Sequence, residues 1–114
     1  TAYIVVKDTV NQKNITIPEN EIIYAQADNI YAEVVTAQGI FLYSNKISLL
    51  VKKLNEEYFY RSNRSYIVNF NYIIGYSKKE IEFSNGQKAL ISSSKFKDFK
   101  SKYLNYLKRK SIGE

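Results

Sequence analysis

The chain has 114 residues and a net charge of +6, which is enough length for one hydrophobic core but not for two. It lacks both cysteine and histidine, which excludes disulfides and thiolate nucleophiles and removes the commonest general base and metal ligand. We therefore expect a single domain over residues 1–114 that is not an enzyme and that needs no metal or cofactor. Because the chain has no methionine even at position 1, we expect it to be a fragment of a longer protein.

The composition predicts a cytoplasmic location. The absence of cysteine fits a reducing compartment. The longest uncharged run, residues 65–77, is too short to span a bilayer, so no membrane association is expected. No secretory signal opens the chain.

The first half of the chain predicts short strands separated by polar turns. Pro18 ends the second strand or places it at a sheet edge. Asp28 and Asn29 form the turn after the third strand. Short strands at this spacing are typical of an all-β sandwich or barrel. The predicted strands cover residues 3–6, 15–17, 21–27, 30–35 and 40–43.

Two segments have a helical period instead. Each segment has a stripe of apolar residues along one face of a predicted helix. Ser44 or Asn45 can cap the first helix, and the second begins near Lys95 with Ser94 as a plausible N-cap. The first stripe consists of Ile47, Leu50, Val51 and Leu54, and the second of Phe96, Phe99, Tyr103 and Leu107.

Further strands are predicted between the two helices. They lie near residues 59–62, 65–68 and 72–76. A hairpin then runs from residue 80 to residue 92, with Asn85 and Gly86 as a two-residue type I′ turn.

The polar centre of residues 58–69 is the most informative segment for function. It places Arg61, Asn63 and Arg64 between two aromatic and β-branched runs, so it predicts strand, turn, strand. Arginine forks and amides in a turn suit a surface that grips phosphate oxygens and base edges. The alternative is a solvated turn that carries two ordinary surface arginines.

Charge is distributed unevenly along the chain. Residues 1–57 carry five basic and seven acidic residues, net −2, whereas residues 58–114 carry twelve and four, net +8. A basic half is the usual footprint of a polyanion partner and favours nucleic acid, although such a surface can also serve solubility alone.

Three motifs in order resemble the LytTR DNA-binding domain, the output module of many bacterial response regulators. The upstream motif covers residues 21–29, and the downstream motif joins Asn85-Gly86 to residues 90–92. The resemblance spans about residues 3–107. The central motif reads Phe59-Tyr60-Arg61-Ser62-Asn63-Arg64-Ser65-Tyr66-Ile67-Val68-Asn69.

The chain also departs from the family pattern. Many members carry histidine at the position of Asn63 and an acidic residue at that of Gln26. Many also carry arginine where this chain has Ser93 and Ser94, so the bidentate guanine contact of an arginine is absent there. Lys95 can replace the charge but not the fork.

The resemblance implies a mainly β fold of about ten short strands in stacked sheets, with one or two small helices. It implies sequence-specific reading of double-stranded DNA by loops, with Asn29 in the first loop, Asn63 and Arg64 in the second, and Ser94 and Lys95 in the third. It also implies a homodimer on direct repeats, an upstream receiver domain and a sensor kinase.

Each assigned position has a structural alternative. Arg64 can instead form a cross-strand salt bridge, and Asn29 and Asn63 are common turn formers. Ser94 is expected to cap its helix in addition to any phosphate contact. Arg61 either reaches a phosphate or pairs with a glutamate. Two further residues complete the assignment, Lys46 as a weaker phosphate candidate and Asn69 as a purely structural residue that closes a turn.

Two other functions remain open at this point. A single-stranded nucleic-acid-binding β-barrel would use exposed tyrosines as stacking platforms, and the chain has eleven tyrosines. A basic protein-interaction β module would meet an acidic partner instead.

Overall fold

The computed structural model describes residues 2–113, and side chains through residue 111. Within that range the chain forms ten strands in two antiparallel sheets, together with two α-helices and short 3₁₀ turns. The predicted mainly β class with about ten short strands is confirmed.

A seven-stranded sheet forms the larger layer, in the spatial order β2-β1-β5-β4-β3-β7-β6. The edge position of β2, which ends at Pro18, agrees with the prediction for that proline. The strands of this sheet are β1 (Tyr3–Asp8), β2 (Lys13–Pro18), β3 (Ile22–Asp28), β4 (Tyr31–Thr36), β5 (Gly39–Tyr43), β6 (Phe59–Asn63) and β7 (Tyr66–Asn69).

A three-stranded sheet and two helices complete the fold. The small sheet has the order β10-β9-β8, with β8 (Ile73–Tyr76), β9 (Glu80–Phe83) and β10 (Lys88–Leu90). Helix α1 (Ile47–Leu50) follows β5, and helix α2 (Phe96–Gly113) ends the described chain.

Both faces of the large sheet are buried at its centre. Ala25 of β3 pairs with Val34 and with Ile67, and all three residues belong to one core cluster. The next pair along the strand, Tyr24 with Val68, belongs to the other cluster. Because side chains alternate across a strand, the central strands read as nearly continuous apolar runs.

One face packs against the small sheet and α2. The rings of Tyr24 and Phe83 stack with centroids 5.0 Å apart, which joins the two sheets. Phe99 of α2 is fully buried in the same cluster. The opposite face is covered by α1, whose Ile47 and Leu50 are buried there.

The turn between β9 and β10 differs from the predicted type I′ turn. That turn needs positive φ at both central residues, and in the described chain the positive φ at this turn belongs to Gly86 (86°) and not to Asn85. Gly86 N–H donates to Phe83 O and Phe83 N–H donates to Gln87 O, each at 2.9 Å. The loop therefore contains Ser84 as well, and Gly86 alone supplies the left-handed step.

The first helix is shorter than its apolar stripe suggested. The α-helical hydrogen bonding ends at Leu50, and a 3₁₀ turn, Val51–Lys53, carries the chain on to buried Leu54. Lys46 occupies the N-cap position without a side-chain cap bond, while Asn45 Oδ1 accepts Lys46 N–H at 2.9 Å.

Two predictions for the second helix were wrong. A 3₁₀ turn, Ser93–Lys95, precedes α2 with Ser92 at its N-cap, so Ser94 is inside the turn and does not cap it. Leu107 is 39% exposed, and Tyr106, at 5%, takes the buried position. Tyr106 follows Phe99 by seven residues, about two helical turns, so both side chains lie on the same face of α2. Leu107 is one residue further along the helix, and its side chain is rotated away from the core.

Candidate nucleic-acid interface

Three polar segments lie together at one end of the large sheet, and we call them the polar edge. They are the β3–β4 turn around Asn29, the β6–β7 turn at Arg64 and Ser65, and the 3₁₀ turn Ser93–Lys95 with its N-cap Ser92. Each segment was predicted from the sequence as a separate loop. The pairing of β3 with β7 and the contacts of Ser62 bring them together.

The first two turns are adjacent because β3 and β7 are neighbours. Gln26 pairs with Tyr66, and one step further Ala27 N–H donates to Ser65 O at 2.8 Å. The turn that carries Asn29 therefore begins beside the turn that carries Arg64.

Ser62 ties the third segment to the other two. It has no exposed surface, and its Oγ donates to Leu90 O at 2.8 Å. Its own carbonyl accepts Ser92 N–H, also at 2.8 Å. A register shift between Tyr60 and Asn63 marks a bulge at this point of β6, a feature that typically re-aims side chains next to functional sites.

Asn29 is exposed and has a left-handed backbone, with φ 58°. Asparagine tolerates this conformation better than most residues, which explains its place in the turn. The left-handed backbone therefore accounts for an asparagine at this position, and the exposed side-chain amide remains available to a ligand.

The central turn is braced by its own side chains. Asn63 Oδ1 accepts Ser65 N–H at 2.9 Å, so part of the hydrogen-bonding capacity of this amide is used inside the turn. Arg61 Nη2 donates to Arg64 O at 2.6 Å. The guanidinium of exposed Arg64 is thereby presented by a turn that is fixed on both sides.

Neither arginine takes the structural alternative predicted for it. Among residues 2–113 the ion pairs join Lys88 to Glu80 and Lys102 to Asp98, and neither Arg61 nor Arg64 contacts a carboxylate. Arg61 Nε is buried and has no hydrogen-bond partner in this part of the chain.

The third segment is fixed through Tyr60. The hydroxyl of Tyr60 donates to Asp98 Oδ2 at 2.9 Å and lies 3.4 Å from Lys95 O. Lys95 is exposed, with Nζ 5.9 Å from the centre of the Tyr60 ring, and Lys102 Nζ lies 5.6 Å from the same centre.

The titration of the Tyr60–Asp98 pair follows from this contact. Burial first, and the neighbouring Asp98 second, raise the pKa of the Tyr60 hydroxyl well above its ordinary value. The hydrogen bond from Tyr60, followed by the charge of Lys102, lowers the pKa of Asp98. Asp98 is therefore ionised at neutral pH, but its charge is shared with a lysine and a hydroxyl.

The two remaining assignments differ in outcome. Lys46 follows β5, whose last residue Tyr43 pairs with Ala32, so this exposed lysine lies toward the same end as Asn29. Asn69 is confirmed as structural: it is fully buried and its Oδ1 accepts Asn71 N–H at 2.9 Å.

Sequence reasoning missed the roles of Ser62 and Ser92. Ser62 had no predicted role beyond the end of a strand, yet it is buried and fixes the third segment. In a regular strand the second position after Tyr60 would return to the same buried face, but the bulge between Tyr60 and Asn63 interrupts that alternation, so spacing alone did not reveal the role of Ser62.

The chemistry of the polar edge is that of hydrogen bonding and positive charge. No group of metal-ligating side chains that could hold an ion occurs among the residues that the structure describes. No helix within residues 2–113 has the length and apolar character needed to cross a membrane. The fold and this edge define a β-rich domain whose loops present cations and amides.

Comparison with known proteins identifies the family. The profile of the LytTr DNA-binding domain matches residues 12–104, so the chain belongs to the LytTR DNA-binding domain family, as the sequence motifs predicted. This is a family of DNA-binding domains. A search of curated proteins finds no match.

A solved structure supports the fold. The chain is similar to the LytTr DNA-binding domain of a response regulator from Bacillus cereus, with a TM-score of 0.76 and 21% sequence identity. The similarity covers 91% of this chain and 97% of that one.

Proposed function

We propose that this domain binds double-stranded DNA sequence-specifically through the polar edge, as the output domain of a transcriptional response regulator. The observation that carries the proposal is the pair of backbone hydrogen bonds, Ala27 to Ser65 and Ser92 to Ser62, because they join three separate polar segments into one surface. Membership of a DNA-binding family supports the same partner.

The proposed contacts divide into two kinds. Arg64 forks onto guanine O6 and N7, the commonest specific base contact of an arginine. Asn29 offers a complete exposed amide, whereas Asn63 offers mainly its Nδ2 donors because its oxygen already accepts Ser65 N–H. These three residues would specify sequence.

The second kind of contact positions the domain on the backbone of the duplex. Lys95 and Ser94 are exposed at the start of α2, where N–H groups and the helix dipole favour phosphate. Arg61 has donors left after its bond to Arg64 and reaches a phosphate beside the central turn. Such contacts add affinity on every sequence.

The proposal extends to the context of the domain. Two copies would bind direct repeats as a dimer, in the bacterial cytoplasm, under the control of an upstream receiver domain that a sensor kinase phosphorylates. The support is the family and the description of the solved relative as a response-regulator domain.

The test begins by selecting tight-binding duplexes from a random pool with the unchanged domain. Affinity for a selected duplex is then compared with affinity for a shuffled duplex of equal length. Arg64→Ala should weaken binding to the selected site by roughly 1–3 kcal/mol and should relax the preference at one base pair. Lys108→Ala, which removes an exposed charge near the other end of α2, is the matched control.

Two outcomes would contradict the proposal. Failure of the pool to yield any preferred duplex would exclude sequence-specific binding. An Arg64→Ala domain with unchanged affinity would remove the central turn from the interface.

Competition with single strands separates the proposal from a stacking platform. Five tyrosines are core residues, namely Tyr24, Tyr43, Tyr60, Tyr103 and Tyr106, so they are not available for base stacking. Unlabelled duplex should therefore displace a bound duplex far more effectively than either of its separated strands. The reverse order would favour the single-strand function.

A further inference from the structure

A second polar site lies at the opposite end of the large sheet. It is a pocket of about 420 Å³ beside the start of β3, the start of β6 and the end of β7, and we call it the far pocket. Since β3 spans seven residues, this end is about 20 Å from the polar edge. Its lining includes Glu19, Asn55, Asn71 and Lys110.

Glu19 is the unusual member of the far pocket. The residue is 6% exposed, and its Oε1 accepts Asn55 N–H at 2.9 Å. Among residues 2–113 it has no ion-pair partner, and no hydrogen bond reaches Oε2. Oε2 keeps contact with solvent, so a ligand can reach it. Because the rest of the side chain is nearly buried, water screens a donor or cation bound at Oε2 less than it would at an exposed carboxylate.

The walls of the far pocket are held in place by contacts of their own. Asn55 Oδ1 accepts Glu57 N–H at 3.0 Å, and Asn71 Oδ1 accepts the hydroxyl of Tyr106. Both amides therefore keep their Nδ2 donors free of these bonds. A site whose polar groups are already oriented loses little entropy when a ligand enters.

Positive charge lies on the same lining. Lys110 is exposed, and its Nζ is 5.9 Å from the ring centre of Tyr106, the residue that orients Asn71. The pocket thus offers a buried carboxylate together with an ammonium group and amide donors.

We propose that the far pocket binds a small zwitterion, an α-amino acid or a short peptide. The ligand ammonium binds Glu19 Oε2, and the ligand carboxylate binds Lys110 and Asn71 Nδ2. The volume of about 420 Å³ is at the small end of ligand pockets, and its lining is more polar than that of pockets for drug-like molecules. The proposal goes beyond DNA binding and does not depend on it.

The test is a titration of the isotope-labelled, unchanged domain, followed by NMR. The probes are the common L-amino acids and glycylglycine at millimolar concentration, with sodium acetate and methylammonium chloride as single-charge controls. At least one zwitterion should shift the side-chain amide signals of Asn55 and Asn71 while leaving those of Asn29 and Asn63 unchanged. Absence of any zwitterion-specific shift, or equal shifts with the single-charge controls, would overturn the proposal.

Two matched pairs of variants then test the two charges. Glu19→Gln should weaken binding roughly 10- to 100-fold, as expected for a hydrogen bond to a charged group, whereas Glu21→Gln, in the same 3₁₀ turn but exposed, should not. Lys110→Gln should weaken binding severalfold, whereas Lys108→Gln should not.

The lysine pair keeps the test decisive if Glu19→Gln fails to fold, because both lysines are exposed. Equal binding by the two lysine variants would exclude the carboxylate contact, and with it the zwitterion.

Discussion

At the residue scale, Asn69 shows how a polar side chain can stabilise a core. It has no exposed surface, its Nδ2 donates to Ile22 O at 2.7 Å, and its Oδ1 accepts Asn71 N–H at 2.9 Å. The amide therefore joins the end of β7 to the start of β3 and caps the 3₁₀ turn that follows. Its two bonds need an amide, because no other side chain of that size both donates and accepts there.

We predict that Asn69→Ala lowers the free energy of unfolding by about 2–4 kcal/mol, since it leaves a buried carbonyl without its donor and opens a small cavity. Asn69→Asp should cost at least as much, because it places a carboxylate against Ile22 O. Urea denaturation measures both values, with exposed Asn105→Ala as the control that stays within about 0.5 kcal/mol. A loss below that limit in Asn69→Ala would contradict this role.

The residues of the central motif show the limit of sequence reasoning at this scale. The sequence predicted a polar turn, and the structure places exposed Arg64 there. It did not distinguish Ser62, which is buried, from Asn63, which is half-buried and bonded to Ser65. The bulge in β6 interrupts the alternation on which such a distinction depends, so spacing alone could not assign a face to each residue.

At the element scale, Tyr60 connects β6 to the first turn of α2. Its hydroxyl bond to Asp98 helps to lower the pKa of that carboxyl, so the bond stabilises the domain while Asp98 is ionised. A carboxyl whose pKa is lower in the folded state than in the unfolded state stabilises the fold at pH values above its unfolded pKa. That contribution is lost as the pH falls through the folded value.

We predict that Tyr60→Phe raises the pKa of Asp98 toward its ordinary value of 3.8, as read from the carboxyl carbon signal in an NMR titration. The difference in free energy of unfolding between the unchanged domain and the variant should be largest near neutral pH. It should become smaller as the pH falls below 3.8. Tyr58→Phe, on an exposed tyrosine outside this contact, is the control. An unchanged pKa of Asp98 would show that the lysines Lys102 and Lys95, and not Tyr60, lower it.

Two glycines of the small sheet give a matched test of turn geometry. Gly86 has φ +86° in the β9–β10 loop, whereas Gly75 of β8 has an ordinary φ, and an added methyl group meets nothing within 4 Å at either site. Gly86→Ala should therefore cost about 1–2 kcal/mol from backbone strain. Gly75→Ala should stabilise the domain by about 0.4–1 kcal/mol, because alanine lowers the conformational entropy of the unfolded chain. Thermal or urea unfolding measures both, and equal effects would contradict the left-handed conformation of Gly86.

Elements were predictable where one local pattern decided them. The strands followed from alternation and from turn residues, and Phe99 and Tyr103 were placed correctly on the buried side of α2. The length of α1 was not predictable, because the apolar stripe through Leu54 fits either an α-helix or a 3₁₀ continuation. The loop type at Gly86 depends on which residue pairs with Phe83, and the Asn-Gly dipeptide does not by itself distinguish a two-residue loop from the longer loop closed by Gln87.

At the scale of the whole molecule, the order of the strands creates the interface. The hairpin of β6 and β7 joins the sheet beside β3 and not beside its chain neighbour β5. The segment after β10 then reaches β6 through Ser62 and Ser92. None of these contacts joins neighbouring parts of the sequence, so the three loops were predictable individually while their common edge was not derivable from local patterns.

The charge of the polar edge leads to the last prediction, which concerns salt. Four cations lie at or toward this end of the sheet, namely Arg61, Arg64, Lys95 and Lys46. Each phosphate that they neutralise should contribute about −0.9 to the slope of log Kobs against log salt concentration. Because Arg64 is assigned to a base, the other three would contact phosphate, and one copy of the domain on a selected duplex should give a slope of about −2.7.

Variants separate the polar edge from the rest of the basic surface. Lys95→Gln should reduce the steepness of the salt slope by about 0.9, because one phosphate contact is lost. Lys108→Gln removes the same charge near the other end of α2 and should leave the slope unchanged. Fluorescence anisotropy across a series of salt concentrations measures both slopes. If the two lysine variants changed the slope equally, DNA would lie along α2, and the common edge built by Ser62 and Ser92 would not be the surface that meets the duplex.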